Sequence, residues 1–478
     1  KPHQELAVRA IVGQKRMVLN HGAGSGKTAI LYSAAAHLMN TDKIDRALVT
    51  MPAKPRSQQR GERGEAAKFL DPEMAKRVTV IEDGRDLRRH LASVKAGEKK
   101  ILVMSPQMMR DHVGALVDAG FGGERSMLFA DEAHELAIGG HERGSNMAKQ
   151  ARRLAGAEYM AAGSGTLIEN NASELHSVYS LVHPGALGTQ KDFAKEWQRL
   201  AQGAHSGGHL FADESMRSMR NRLSGGMVSY HEQPTRRGKR GDEPVKLTRD
   251  TVTVNASAGQ RTQIAEINRK YQEDRSSVDP EVYKAAALRR RMRVMQVLNG
   301  ADDNPKHDAI RRIIAGEKKR DPKNRVGVYA FETAALGGAG KHMDKKVRIT
   351  GAEDDRATAR AVGALNDRTN DIEGVLLSNA ANYGLNLHGM DHLVKLHPLD
   401  TPSKEDQLDH RHFRAGQTRD VRATTILTDH PIEQLTQFRT TRVKLPEVAL
   451  LALLADDTGT AHALTGSMDA LREAAGRA

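Results

Sequence analysis

Cysteine is absent from the chain, aromatic residues are scarce and no long apolar run occurs, and each shortage excludes a class of function. Without a thiol there are no disulfides, no thiolate metal sites and no cysteine nucleophile. No stretch approaches the roughly 18 consecutive apolar residues of a membrane span, and the first residues do not read as a secretory leader. A soluble, cytoplasmic protein is therefore expected. Phe, Trp and Tyr together make up 4% of the residues, so the core must rest on small and flexible side chains, Met among them.

Length and positive charge are what the sequence has in quantity. A chain of 478 residues exceeds one ordinary core, and two or three domains are expected. Lys and Arg number 73 against 60 Asp and Glu, a formal net charge of +13 that favours a polyanionic partner, nucleic acid foremost. The basic clusters alone also fit a solvated surface.

Short apolar runs at 17–20, 47–51, 78–81, 101–104, 127–130 and 159–162 alternate with helical stretches, the rhythm of a parallel α/β sheet. From about 203 to 303 the character changes. Gly, Ser and His turns appear with the basic cluster Arg236-Arg237-Gly238-Lys239-Arg240, an alternating strand at 251–255 and a charged helix holding Arg289-Arg290-Arg291. Alternation resumes with apolar runs at 326–331, 347–350, 375–378, 393–397 and 422–427, followed by helical patterns at 431–438 and 446–454. The expected organisation is an α/β lobe over 1–202, a helical and basic insertion over 203–303, a second α/β lobe over 304–435 and a helical tail over 436–478.

The most informative segment is Asn20-His21-Gly22-Ala23-Gly24-Ser25-Gly26-Lys27-Thr28, where an apolar strand runs into a Gly-rich turn ending in Lys-Thr. Backbone N–H groups close around phosphate oxygens only where side chains are absent, as at Gly24 and Gly26. The Lys27 ammonium then reaches the β and γ phosphates, and the Thr28 hydroxyl ligates Mg²⁺. His21 stands where the strict string wants a small residue. Downstream, Asp131-Glu132-Ala133-His134 ends an apolar strand, at the sheet edge where ligands sit in open α/β folds. Asp131 suits Mg²⁺ as a hard oxygen ligand, and Glu132 suits the orienting of water for hydrolysis. Taken singly, the two segments also read as a turn before a helix and as solvated acids.

The order of these two segments, together with several strings farther along the chain, resembles the superfamily 2 helicase-like ATPases. Ser164-Gly165-Thr166-Leu167-Ile168-Glu169-Asn170-Asn171, with Glu174-Leu175 and His183-Pro184-Gly185, resembles a run of the Swi/Snf-type branch. So do Gly384-Leu385-Asn386-Leu387 with Asp391, and then Pro402, Gln407, Arg411, Arg414, Gly416 and Gln417. The likeness spans about residues 2–433. Leu167, His410, Phe413 and the pair Asn382-Tyr383 depart from the branch's pattern at positions that bear on coupling more than on hydrolysis.

The resemblance implies two RecA-like parallel-sheet lobes in tandem that close on one Mg²⁺-bound ATP. It assigns adenine to Gln4 and phosphates and metal to Gly24, Gly26, Lys27, Thr28 and Asp131. Glu132 would orient water, and Arg411 and Arg414 would come from the second lobe as fingers on the γ-phosphate. His134, Ser164, Thr166 and Gln417 would link hydrolysis to lobe movement, and Lys54, Ser105 and Ser378 would touch the DNA backbone. The branch implies a monomeric, duplex-DNA-stimulated translocase with little base preference, associated with DNA or the nucleoid. Beginning at Lys1, the chain reads as a piece of a larger parent polypeptide or a member of a complex. Two other functions stay open: a catalytically silent DNA-binding or assembly module with the same fold, and an unwinding helicase acting on RNA or DNA. Intact Lys27, Glu132 and Arg414 speak against the first, and the Asn170-Asn171 and Gly416-Gln417 strings against RNA unwinding.

Overall fold

A computed structural model describes residues 1–22, 25–52, 56, 59, 64–137, 146–168, 171–205, 214–230, 234–238, 241–274, 280–300, 304–379, 385–414, 416–444 and 450–451. The chain divides into two compact units, one of residues up to 232 together with Lys444, Leu450 and Leu451, the other of residues 233–443.

The first unit is a seven-stranded sheet flanked by helices. Its strands are β1 (Arg16–His21), β2 (Arg46–Thr50), β3 (Val78–Val80), β4 (Lys100–Met104), β5 (Ser126–Asp131), β6 (Tyr159–Ser164) and β7 (Met227–Tyr230). They run in the order β3-β4-β2-β5-β6-β1-β7, and every pairing is parallel. Both faces of this sheet are covered. Met17, Leu19, Ala47, Val49, Ile101, Val103, Met127 and Phe129 pack on one side, while Val18, Leu48, Leu102, Met104, Leu128 and Ala130 pack on the other. Burial on both faces is why these strands read as continuous apolar runs and not as alternations. The single tryptophan, Trp197, is fully buried beside Phe193.

In the second unit, β8 (Thr235–Gly238) and β9 (Gly241–Pro244) form an antiparallel hairpin. A six-stranded parallel sheet is built from β10 (Leu247–Val254), β11 (Val326–Tyr329), β12 (Lys346–Ile349), β13 (Gly374–Leu377), β14 (His392–Lys395) and β15 (Val421–Thr428), ordered β10-β15-β14-β11-β13-β12. The helices Ala258–Asp274 and Pro280–Gly300 lie between β10 and β11 in sequence and share a small core of Ile264, Val294 and Leu298. The architecture is thus α/β with two RecA-like parallel-sheet lobes, and the basic hairpin and the two helices Ala258–Asp274 and Pro280–Gly300 belong to the second unit. Of residues 203–303, Met227–Tyr230 lies in the first sheet and Leu247–Val254 in the second. No described helix is long and apolar enough to cross a membrane.

Candidate active site

Strand β1 delivers the chain into the Gly-rich turn at the C-terminal edge of the first sheet. The Gly22 N–H donates to the Tyr230 carbonyl on β7 (2.9 Å), and the helix Lys27–Asn40 starts directly beyond Gly26. Gly26 has φ +88°, and a Cβ there would lie 2.0 Å from Gln4 Nε2. A side chain at this position is therefore disfavoured by the backbone conformation, and it would also displace the Gln4 amide. Gln4, in the helix Pro2–Gln14, donates through that nitrogen to the Ser25 carbonyl (3.1 Å). Lys27 Nζ donates to the carbonyls of His21 (2.9 Å) and Gly22 (3.4 Å), so the ammonium sits in the mouth of the turn. Thr28 occupies the first turn of the helix. Gly24 lies outside the described residues.

Asp131 closes β5 and Glu132 comes next with φ +50°, a left-handed turn that aims successive acids differently. The Glu132 N–H donates to Asp131 Oδ1 (3.1 Å), and the Ala133 N–H to the Gly163 carbonyl on β6 (3.0 Å). A Cβ at Gly163 would stand 3.3 Å from Lys27 Cδ, so this glycine leaves room for the lysine beside the acid. Burial, and secondly the neighbouring Glu132 charge, push the Asp131 carboxyl up to about 6, with Lys27 pulling the other way.

Ser164, the last residue of β6, ties the remaining groups together. Its Oγ accepts from the Thr166 N–H (3.0 Å) and lies 2.9 Å from the Thr166 carbonyl oxygen, 3.1 Å from His134 Nδ1 and 3.3 Å from Glu132 Oε2. A hydroxyl has one proton to give, so it can serve only one of these acceptors at a time. Lys27, Asp131, Glu132, His134, Ser164 and Thr166 are thus brought together at or just beyond the C-terminal ends of the neighbouring strands β1, β5 and β6, with Gln4 across the turn.

A second cluster is built in the other unit. Arg411 Nη1 and Arg414 Nη1 both donate to the Leu385 carbonyl (3.4 and 3.0 Å), while the Leu387 N–H donates to the Arg411 carbonyl (2.7 Å). Gln417 is buried and donates through Nε2 to the carbonyls of His388 and Met390 (3.0 Å each). Gly416, at φ +97°, lets the chain turn beneath the His388 ring. The segments around 385–390 and 411–417 therefore form one knot that gathers two guanidinium groups, Arg411 buried and Arg414 half-buried.

The expected backbone-contact residues lie elsewhere on the sheet edges. Ser105 follows β4 and caps the helix Pro106–Asp118, its Oγ accepting from the Met108 N–H (3.1 Å). Ser378 follows β13, buried, with its N–H donating to the Ile349 carbonyl (3.2 Å). Lys54 lies outside the described residues, as do Gly384 and the pair Asn382-Tyr383. Among the described residues no group of three or more His, Asp or Glu side chains is arranged to hold a metal by itself. His3 and Tyr230 carry no motif and were not singled out by the sequence. They meet only because β7 lies beside β1.

Residues 1–175 match the DEAD/DEAH box helicase family. The chain is 23% identical over 351 residues to the Zorya protein ZorD of Escherichia coli, an alignment covering 68% of this chain and 30% of that protein, so it spans less than a third of the relative's length. Among solved structures, it resembles the Sulfolobus solfataricus SWI2/SNF2 ATPase core in complex with dsDNA (16% identity, TM-score 0.40, 92% and 90% of the two chains). It also resembles the DUF1998 helicase MrfA bound to DNA (14% identity, TM-score 0.53, 91% and 47%). The first unit thus carries the match to the DEAD/DEAH box helicase family, and the chain shares its fold with a helicase of known structure.

Proposed function

We propose that the chain is an ATP-hydrolysing motor of the Swi/Snf type that is stimulated by, and moves along, duplex DNA with little sequence preference. The observation carrying this reading is the convergence of Lys27, Asp131 and Glu132 at the C-terminal edges of β1 and β5, beside a Gly-rich turn that Gly26 keeps free of side chains. In this assignment Lys27 and the turn's N–H groups hold the triphosphate. Thr28 and Asp131 supply hard oxygen ligands for Mg²⁺, a donor set that fits an ion completed by phosphates and water. When bound, the ion neutralises phosphate charge. A carboxyl that burial makes costly to ionise gains from such a cation. Glu132 orients the attacking water, and Ser164 and His134, both within reach of its carboxylate, register its position.

Arg411 and Arg414 act as fingers on the γ-phosphate when the units close, an effect worth roughly 10³ to 10⁵ in rate. Their shared hold on the Leu385 carbonyl supports a joint role. Ser105, Ser378 and Lys54 are assigned to DNA phosphates, which fits binding that reads no bases. MrfA, whose fold this chain shares, is bound to DNA in its solved structure.

The test is ATP hydrolysis measured without polymer and with duplex DNA, single-stranded DNA or RNA. Duplex DNA is expected to stimulate most, and Lys27→Ala and Arg414→Ala are each expected to lower kcat by about 100-fold or more. Rates indifferent to every polymer would remove the motor reading, and no turnover at all would favour the silent module. Stimulation by RNA alone would favour an unwinding RNA helicase.

A further inference from the structure

The nucleotide assignment leaves three rings at the base of the Gly-rich turn without a task. His3 and Tyr230 stack with centroids 3.5 Å apart and planes 5° from parallel. His21, fully buried, touches both, with centroids 6.1 Å from His3 and 6.0 Å from Tyr230. Each member of the stacked pair is tethered to the turn. His3 Nε2 lies 2.9 Å from the Ser25 carbonyl oxygen, the same acceptor that Gln4 uses. The Tyr230 carbonyl accepts from the Gly22 N–H, and Tyr230 stands in register with His21 across the β1–β7 pair. A histidine in place of the usual small residue thus has a physical reason: it fills the space behind a ring pair that β7 and the first helix create.

We propose that Tyr230 is a positioning residue of the nucleotide base site. Its ring holds His3 flat, and through the ties of His3 and Gln4 to Ser25 it fixes the amide and the ring surface beside which a purine lies. The proposal rests on the nucleotide reading of the site and deepens it, since it places base discrimination on an edge strand that belongs to no motif. The alternative is that the Tyr230 ring fills the base position and must leave. The geometry opposes it, because the His3 ring is held at the Ser25 carbonyl and Tyr230 is fixed in β7 by its pairing with β1.

Calorimetric binding of ATP, GTP and inorganic tripolyphosphate, each with Mg²⁺, separates base from phosphate recognition. Tyr230→Leu, which keeps packing bulk without a ring, and Tyr230→Ala are expected to weaken ATP about tenfold, the scale of one lost base–aromatic arrangement. Both should leave tripolyphosphate within about twofold and narrow the preference for ATP over GTP, whereas Tyr230→Phe keeps all three affinities. Unchanged or tighter ATP binding in the Leu and Ala variants overturns the proposal. So does an equal loss for ATP and tripolyphosphate, which would mark a distorted turn. Wild-type protein that binds neither ligand would instead remove the nucleotide reading itself.

Discussion

His412, inside the arginine-bearing turn, shows how one buried side chain makes a lobe sensitive to acid. It is fully buried, and its Nε2 lies 3.1 Å from the Arg422 carbonyl oxygen, which favours the tautomer protonated at that nitrogen. Burial outweighs the attraction of Asp409 and holds the imidazole down to about 4, with His392 and Lys395 acting in the same direction. In the unfolded chain the ring titrates near 6.5, so as pH falls the unfolded state takes up the proton first. Stability present above about pH 6.5 is then lost progressively toward pH 4, roughly 2 kcal/mol of it between pH 7.5 and 5. Denaturant titrations of wild type and His412→Gln check this. The variant is expected to be less stable at pH 7.5, and the gap should shrink by about 2 kcal/mol at pH 5. A gap independent of pH would mean that His412 is not the titrating group. Nothing in the sequence marked this histidine, whereas Lys27, Asp131 and Glu132 were legible because each lies in a local string. Residues that matter through distant partners, such as Tyr230 or the buried pair Lys306–Glu433 (2.7 Å), carry no such string.

At the scale of elements, legibility followed burial. The apolar runs expected at 101–104 and 127–130 are β4 and β5 because a strand covered on both faces has no room for polar interruptions. β10 was expected only over 251–255, yet it pairs along 247–254. Its first half is largely exposed and is held by backbone bonds to β15, a partner that periodicity does not reveal. β8 was read only as a basic cluster, since its alternating exposure leaves no apolar signal. The helical pattern at 431–438 is the helix Pro431–Phe438, while most of that at 446–454 lies outside the described residues. Ser105 allows two roles of one element to be separated. As the cap of Pro106–Asp118 its loss in Ser105→Ala should cost about 1 kcal/mol, read by thermal unfolding. Ser105→Asp keeps a good cap but sets a negative charge at the assigned phosphate contact. It should fold with wild-type stability and bind duplex DNA about tenfold more weakly, whereas unaltered DNA binding would confine Ser105 to capping.

The molecule as a whole carries +13, and the residues assigned to nucleic acid are hydroxyls and a lysine that follow sheet strands in the sequence, suited to phosphates and not to base edges. A surface of this kind binds by displacing counterions from phosphates, a contribution that depends on salt and not on sequence. If about five phosphates are neutralised, the binding constant falls with salt at a slope near −4.5 on logarithmic axes, and a fourfold rise in salt lowers affinity roughly 500-fold. Fluorescence anisotropy on duplexes of unrelated sequence, repeated from about 50 to 200 mM salt, measures both quantities. The slope should be steep and common to all duplexes, with affinities at any one salt concentration agreeing within about threefold. A shallow slope would mean that the excess charge is a solvated surface, as the basic clusters alone allow. A steep slope with one duplex strongly preferred would require base contacts that the assigned residues do not provide. Because lobe closure is what brings Arg411 and Arg414 to the nucleotide in the proposed cycle, the salt that weakens binding should also raise the duplex concentration needed for half-maximal hydrolysis, leaving kcat at saturating duplex nearly constant.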